Sequence, residues 1–377
     1  MIFLDNASTT KIYDEALEEY IVKSKENFYN ASALYKSGSD VIKEVNKVRL
    51  NLIKLLGGST FDNLVFTSGA TEANNMAVNG AIRKDGTKLV FSMAEHPAIF
   101  NVAKNLESQG YKVEYVNLTH EGIVDVEDFK LKVKGASFVS VMHVCNETGA
   151  INNIKELVKI AKAENKGLIF HCDGVQAFGK IPVNVSDLGV DLYTISAHKI
   201  HGPKGVGALY IKKGVNLKPI IFGGGQEFGI RSGTENTCGI FALNVAASKI
   251  VENQKQNFEH VQNLKNEFVN ELTSNFNGAV INSTENCSPY IVSFAVLKVK
   301  AETILHMAEA DGVLISNGSA CSSKKTGNRI LSAMGIDDNV ILSSVRVSFS
   351  EFNTVDEVRS AAKVIKESCS RYIKILK

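Results

Sequence analysis

Ser196-Ala197-His198-Lys199-Ile200-His201-Gly202-Pro203-Lys204-Gly205-Val206-Gly207 is the stretch that decides the fold of this 377-residue chain. Residues 191–195, just before it, are short, mostly apolar and β-prone, which predicts a buried strand that ends at Ser196. The glycines and the proline inside the stretch predict an irregular loop, and residues 207–211 predict the next strand. The stretch is therefore expected to join two strands of a sheet and to carry its polar side chains at a strand end.

Lys199 is the residue of this stretch with the clearest chemical use. A lysine at a strand end can form an imine with a carbonyl cofactor, while Ser196 and His198 beside it could hold an anionic group of that cofactor. The alternative is a solvated turn with ordinary surface lysines, because chains carry many lysines and few of them form imines. The stretch alone leaves both interpretations open.

Short apolar runs alternate with helical patterns on either side of this stretch. Strands are predicted at 64–66, 89–91, 138–144 and 168–170, and helices near Thr71, after Pro97 and over 154–163. Such alternation is typical of an α/β fold with a mostly parallel sheet flanked by helices on both faces. Ligands of such sheets gather at the C-terminal ends of the strands, and the polar residues of this chain fall there.

Two domains are expected, because 377 residues exceed what one hydrophobic core usually supports. Apolar residues between 258 and 272 have helical spacing in a long polar run, as expected of a helix that links two domains. We expect a large domain over 13–250 and a smaller α+β domain formed by 1–12 and 251–377. The last helix is predicted to open with a capping box at 354–357.

Composition excludes several classes of function. A net charge of +2, with 44% hydrophobic and 22% charged residues, gives no reason to propose nucleic acid or a membrane surface as a partner. The six cysteines are scattered without a C-x-x-C pair, which argues against a metal site and against a disulfide framework. We find neither a signal-peptide pattern nor a bilayer-length apolar run, so a cytoplasmic location is expected.

Polar groups at the other strand ends suit a flat, anionic cofactor. The turn Thr67-Ser68-Gly69-Ala70-Thr71-Glu72 opens a helix whose amides and Thr71 hydroxyl could bind a phosphate, although an ordinary helix cap is commoner for such a turn. Asp173 could pair with a pyridinium nitrogen or cap a helix. His96 could stack on a ring and move protons, although a lone histidine is more often structural, and Asn146 could donate to a ligand oxygen.

Two further candidates lie in the C-terminal part of the chain. Cys321 lies in the small, polar stretch 316–327, where Lys324 and Lys325 would favour its thiolate. We favour a nucleophile there over an exposed thiol without a role. Arg346 lies in the middle of an apolar strand, so its guanidinium needs an anion, either the carboxylate of a ligand or an internal salt-bridge partner.

Seven motifs together resemble the NifS/IscS-type cysteine desulfurases, which are fold-type I pyridoxal 5'-phosphate (PLP) enzymes of aminotransferase class V. The motifs are T-S-G-A-T-E, A-E-H-P, H-V-C-N-E-T-G, H-C-D-G-V-Q, S-A-H-K, R-S-G-T-E-N and S-N-G-S-A-C. The resemblance implies a homodimer and a PLP-dependent transferase fold, with the cysteine loop on the smaller domain. It also implies removal of sulfur from L-cysteine, which gives L-alanine and a Cys321 persulfide that is passed to an acceptor protein.

The same resemblance implies a role for each candidate residue. Lys199 would bind PLP as an imine and shuttle protons, Asp173 would pair with the pyridine nitrogen, and Gln176 with the ring hydroxyl. His96 would stack on the ring and take part in proton transfer. The other implied contacts are Thr71, Ser196, His198 and Thr234 of the partner subunit on the phosphate, Asn146 and Arg346 on the substrate carboxylate, and Cys321 on the substrate sulfur.

Two departures from the family pattern concern the sulfur acceptor. Residues 324–329 replace the more usual acidic, proline-containing run, and the sequence ends just after the last helix, without the longer tail that iron–sulfur scaffold proteins contact in some relatives. Such a scaffold is therefore one acceptor among several. Alternatives are a selenocysteine lyase or another class V enzyme on a small amino acid, and a sulfur-carrying adaptor without catalysis. Lys199, Asp173 and His96 argue against the adaptor.

Overall fold

A computed structural model describes residues 1–82, 88–317 and 328–375. The strands are β1 (Ile2–Phe3), β2 (Asn63–Thr67), β3 (Lys88–Ser92), β4 (Lys112–Val116), β5 (Ala136–Ser140), β6 (Ile169–Asp173), β7 (Leu192–Ser196), β8 (Gly207–Ile211), β9 (Ala279–Ile281), β10 (Ile291–Val296), β11 (Val313–Leu314) and β12 (Ser344–Ser348). The helices are α1 (Asp14–Glu26), α2 (Lys36–Leu55), α3 (Ala70–Ala81), α4 (Pro97–Ser108), α5 (Val126–Lys132), α6 (Ile154–Glu164), α7 (Val185–Leu188), α8 (Thr237–Glu252), α9 (Gln254–Thr273), α10 (Ala301–Ala310), α11 (Arg329–Ala333), α12 (Asp338–Leu342) and α13 (Val355–Ile375).

A seven-stranded sheet with the order β2-β8-β7-β6-β5-β3-β4 forms the centre of the molecule. Strand β8 is antiparallel to both of its neighbours, and the other neighbouring pairs are parallel. The predicted mostly parallel sheet is thereby confirmed. Edge strand β4 was not predicted, because its alternation of charged and half-buried residues lacks the apolar run that marks the inner strands.

The strand predicted over 138–144 ends early, at Ser140. The carbonyl oxygens of Met142 and His143 are bonded by the side chain and the backbone of Asn152 rather than by a neighbouring strand. The N–H groups of Val141 and His143 still donate to β6, at His171 O and Asp173 O, so only the carbonyl side of the ladder is lost here. Asn146 then follows beyond the last of these bonds, at the sheet edge where ligands of such sheets bind.

Side chains alternate between two cores, one on each face of the large sheet. In β2, Leu64 and Phe66 pack into one cluster, with apolar residues of α2, α6 and α8. Val65 points to the opposite cluster, with residues of α3 and α4. Because successive side chains of a strand point to opposite faces, both faces of the sheet pack against helices, as the sequence predicted.

The C-terminal part forms a second, antiparallel sheet with the order β12-β10-β9. Its core includes apolar residues of α9, α10 and α13 and also Leu4, while β1 pairs in parallel with β11. The predicted capping box is present at α13, because Thr354 N donates to Glu357 Oε2 (3.0 Å) and Glu357 N donates to Thr354 Oγ1 (3.2 Å). The domain division at residue 250 stays a prediction.

No helix within the described ranges combines the length and the apolar character needed to cross a membrane.

Gly174 gives a test of the packing behind the sheet edge. A Cβ at this position would lie 1.9 Å from Tyr193 Cε1, and the ring of Tyr193 is fully buried and bonded to His143 Nδ1 through its hydroxyl (2.9 Å). We expect Gly174→Ala to lower the free energy of unfolding by at least ~1–3 kcal/mol, as overpacking does, measured by urea denaturation. The control is Gly167→Ala, where the nearest atom would be Asn165 Oδ1 at 3.4 Å. Equal stability of the two variants would contradict this packing.

Candidate active site

The polar strand ends meet in one cavity of about 720 Å³ at the C-terminal edge of the large sheet. The N-terminal residues Ala7, Ser8 and Thr9 form part of its wall. Nine residues that were predicted from the sequence line this cavity: Thr71, His96, Asn146, Asp173, Gln176, Ser196, His198, Lys199 and Arg346. Residues that lie far apart in the sequence therefore share one binding space.

Lys199 lies one short turn beyond the end of β7, a strand whose five residues are all buried. Its Nζ donates to the backbone carbonyls of Ala7 (2.6 Å) and Ser8 (2.7 Å). Burial, and next the positive charge of Arg346, lower the pKa of Lys199 to about 8. Its amine is therefore neutral, and nucleophilic, in a much larger fraction of molecules than an ordinary lysine at the same pH.

Asp173 ends β6 and is 4% exposed. Its Oδ2 accepts a hydrogen bond from Asn74 Nδ2 (2.8 Å), and its Oδ1 accepts one from the backbone N–H of Val175 (3.0 Å). No lysine, arginine or histidine of the described ranges forms an ion pair with it. A buried carboxylate that faces a cavity without a cation is costly, so this position fits a positively charged ligand group.

His96 is the N-cap of α4, where its Nδ1 accepts a hydrogen bond from Ala98 N (3.1 Å). The neutral ring therefore carries its proton on Nε2. Burial is the main cause that lowers the pKa of His96, with Lys199 acting in the same direction and Asp173 opposing it. His96 is thus both a structural cap and a neutral imidazole in the wall of the cavity.

An anion site can be built around the N-terminus of α3, which Thr71 helps to form. Ser196 is 2% exposed, and its Oγ has no hydrogen-bond partner among the described residues. His198 Nδ1 lies 3.2 Å from Thr9 Oγ1, and burial, followed by the charge of Lys199, lowers the pKa of His198 to about 4. An oxyanion in this corner would satisfy the unpartnered hydroxyl.

Gly207 allows the close approach of β8 to this corner. A Cβ at Gly207 would lie 2.9 Å from the backbone of Gly69, the residue just before α3. Any larger residue would therefore push the strand away from the turn that forms the anion site.

Arg346 is 4% exposed, and two of its three guanidinium nitrogens already donate hydrogen bonds within the chain. Its Nη1 donates to Asn146 O (2.7 Å), and its Nη2 donates to Asp5 Oδ1 (2.8 Å) and Ser8 Oγ (2.8 Å). The internal salt bridge that the sequence left open is therefore present. Within the described chain, Arg346 Nε and Asn146 Oδ1 are buried without a partner, so both can still meet a ligand.

Two predicted residues are not brought into this cavity. Thr234 lines a separate cavity of about 170 Å³, whose wall shares Ser68 and Gly205 with the larger one. Cys321 lies outside the described residues. Their roles stay predictions.

Cys145 and Cys172 are fully buried, as expected from their strand-end positions. Within the described ranges, no group of three or more histidine, cysteine, aspartate or glutamate side chains is placed to hold a metal ion.

Sequence reasoning missed three sets of groups that hold residues of the cavity wall. Asn74, which binds Asp173, lies three residues after Thr71 and so on the same helix face, a spacing that could have identified it. Lys180 donates to Gln176 Oε1 (2.7 Å) from four residues further along the chain. The carbonyls of Ala7 and Ser8 could not have been found, because backbone atoms leave no signature in the residue types.

The fold and the cavity together define an α/β protein in which a lysine, a buried carboxylate and a helix N-terminus suited to an anion line one cavity. The chain belongs to the aminotransferase class-V family, whose pattern matches residues 2–360. The family resemblance deduced from the seven motifs is thereby confirmed.

Individual relatives agree with this assignment. The chain is 36% identical over 371 residues to a protein of Dictyoglomus turgidum named cysteine desulfurase IscS, with 97% of this chain and 93% of the relative covered. It is similar to a solved structure described as a NifS-like protein, with a TM-score of 0.92 and 33% identity over 98% of this chain and 99% of the other. A structure described as SspA in complex with cysteine has a TM-score of 0.83 and 26% identity, and the match covers 94% of this chain and all of the other (100%).

The lowered pKa of Lys199 can be measured directly. The protein is first treated with hydroxylamine, which removes bound carbonyl compounds. We then expect the rate of competitive acetylation of Lys199 to rise with pH, with a midpoint near pH 8, because the reactive form is the neutral amine. Mass spectrometry of the labelled peptides gives the profile. The control is exposed Lys36, whose pKa is raised by its hydrogen bond to Asp40 and which should react only at higher pH. Identical profiles would contradict the burial of the Lys199 amine.

Proposed function

We propose that the chain is a PLP-dependent cysteine desulfurase, which converts L-cysteine into L-alanine and leaves the sulfur as a persulfide on Cys321. The observation that carries the proposal is the presence, in one cavity, of the Lys199 amine with its lowered pKa and of the buried Asp173 carboxylate. These groups match the aldehyde and the pyridine nitrogen of PLP. The names of the relatives, and the cysteine complex of SspA, support the substrate.

The polar atoms of the cavity fit this cofactor. Ser196 Oγ, which has no partner in the described chain, and the N-terminus of α3 suit its phosphate, as does the neighbouring imidazole of His198. His96, in the wall of the same cavity, would lie against its ring. When bound, PLP supplies an electron sink for the bond that breaks at the substrate carbon.

The residues around the cofactor hold the substrate and move protons. Arg346 Nε, a donor without a partner in the described chain, would bind the substrate carboxylate. Asn146 would add a hydrogen bond through its NH2 group, because its Oδ1 can only accept. Lys199 would hold the aldehyde of the cofactor and would act as the base for the proton of the substrate α-carbon. The carbonyls of Ala7 and Ser8 keep its Nζ at the cavity wall. His96, neutral because its pKa is lowered, can pass the proton of Nε2.

The sulfur leaves by attack of the Cys321 thiolate on the substrate sulfur. The carbon–sulfur bond breaks and a sulfur–sulfur bond forms on Cys321. The carbon keeps the electron pair of the broken bond and takes up one proton, which gives the methyl group of alanine. L-cysteine and one thiol thus give L-alanine and one persulfide, with no external oxidant.

The described residues that precede and follow the segment with this thiol lie at the cavity or next to one of its wall residues. On one side, Ser316 lines the cavity and exchanges backbone hydrogen bonds with Arg346 (3.0 and 2.6 Å). On the other side, Asn328 donates to the carboxylate of Glu147, the neighbour of Asn146. This placement supports delivery of Cys321 to the substrate.

The proposal extends to a homodimer, in which Thr234 of the partner subunit completes the phosphate site. It is supported by the position of Thr234 in its own chain, where it is exposed and lines a cavity next to the proposed PLP site rather than the site itself. An acceptor protein would take the persulfide sulfur. An iron–sulfur scaffold as that acceptor, and the cytoplasmic location, stay predictions from the sequence.

The reaction can be tested with two cysteine variants. We expect Cys321→Ser to lose persulfide formation and sulfur transfer from L-cysteine by at least about a hundredfold, because the attacking nucleophile is gone. Alanine and persulfide are measured in the same assay. The matched control is Cys238→Ser, a half-buried cysteine outside the cavity, which should keep the wild-type rate. Full activity of Cys321→Ser on L-cysteine would contradict the proposal.

A further inference from the structure

Lys180 is a buried lysine that the proposed chemistry leaves unused. It is 4% exposed and lies in the turn that follows β6, four residues after Gln176. Its Nζ donates to Gln176 Oε1 (2.7 Å) and lies 5.7 Å from the ring centroid of Tyr290. It forms no ion pair with a carboxylate of the described ranges. An amine buried without a carboxylate costs free energy, so the position calls for a physical reason.

The hydrogen bonds of Gln176 supply that reason. A lysine ammonium only donates, so the oxygen end of the Gln176 amide has to face Lys180. The nitrogen end then faces the N-terminal segment, where Nε2 donates to Ala7 O (2.9 Å), the same carbonyl that accepts from Lys199 Nζ. The second N–H of Gln176 Nε2 has no partner in the described chain, and Gln176 lines the cavity.

We propose that Lys180 is a positioning residue that fixes the sense of the Gln176 amide, so that Gln176 offers an N–H rather than a carbonyl oxygen to the ligand. The inference rests on the proposed function and refines it. The PLP group that meets Gln176 is then a hydrogen-bond acceptor, and the ring oxygen fits this place in its ionised form.

The electrostatics around Lys180 agree with this role. Burial, and next the charges of Lys199 and Arg346, lower the pKa of Lys180 to about 7, while Glu351 opposes the shift. The ammonium form enforces the orientation of the Gln176 amide, because it has no lone pair with which to accept from Nε2. The neutral amine keeps its N–H groups but could also accept, so in that form Ala7 O, which can only accept, is the remaining partner that holds Nε2 in place.

A double-mutant cycle separates positioning from a direct effect of charge. Lys180→Met, Gln176→Leu and the double variant are loaded with PLP, and the visible absorbance of bound PLP is titrated with pH. Loss of the Gln176 donor makes the ring oxygen of PLP more basic. Each single variant should therefore raise the pH midpoint of the absorbance titration by about one unit. It should also weaken PLP binding about tenfold. The double variant should match Gln176→Leu alone, because Lys180 acts only through Gln176.

Other outcomes overturn the inference. If Lys180→Met shifts the midpoint as much in the Gln176→Leu background as in the wild type, Lys180 acts by its own charge. If Lys180→Arg, which keeps the donor, does not restore a midpoint close to wild type, the donor is not what matters. Thermal unfolding without PLP checks that each variant folds; if Lys180→Met does not, Lys180→Gln, whose shorter side chain withdraws the donor, takes its place in the cycle.

The wild-type chain distinguishes this inference from the proposed function. If the wild-type chain fails to bind PLP, the proposed function is wrong, and the role proposed for Lys180 is wrong as well. If it binds PLP and releases alanine from L-cysteine while the cycle is additive, only the role of Lys180 is wrong.

Discussion

The withdrawal of the Lys199 amine from water, without a carboxylate to hold it, is the constraint on which the rest of the site depends. Its Nζ is held by two backbone carbonyls, those of Ala7 and Ser8, which accept hydrogen bonds but do not stabilise the charged form as a paired carboxylate would. The pKa therefore falls to about 8. The carbonyls are delivered by the N-terminal segment, which β1 ties to β11 more than 300 residues away, so the reactivity of one side chain depends on packing between the two ends of the chain.

The same cavity contains a surplus of positive groups. Lys199, Lys204 and Arg346 line it, whereas Glu72 is paired with Arg231 and Asp5 with Arg346, so Asp173 is the carboxylate left for a ligand. Such a balance favours ligands that carry a phosphate and a carboxylate together with one cationic ring nitrogen. Unpartnered polar atoms, such as Ser196 Oγ and Asn146 Oδ1 within the described chain, are costly in a ligand-free protein. These unpartnered atoms and the surplus of positive groups indicate that the cavity is arranged for ligand binding at a cost in the stability of the ligand-free protein.

Much of the fold and of the site could be predicted from the sequence, because both depend on local patterns. Apolar runs that alternate with helical periods predicted the inner strands, and the rule that ligands bind beyond strand ends brought His96, Asp173 and Lys199 together. Strand β4 escaped because an edge strand needs no apolar run. The Arg346–Asp5 pair and the carbonyl contacts of Lys199 escaped because they join distant segments through tertiary packing. The roles of Thr234 and Cys321 stay predictions.

Borohydride reduction tests the central claim most directly. In PLP-saturated protein, the lowered pKa and the cavity predict that reduction fixes the cofactor covalently on Lys199, found by mass spectrometry of the peptide that contains this residue. The neighbouring buried lysine, Lys180, should remain unmodified, because it is engaged with Gln176. An unmodified Lys199 peptide, or an adduct on Lys180 instead, would contradict the account.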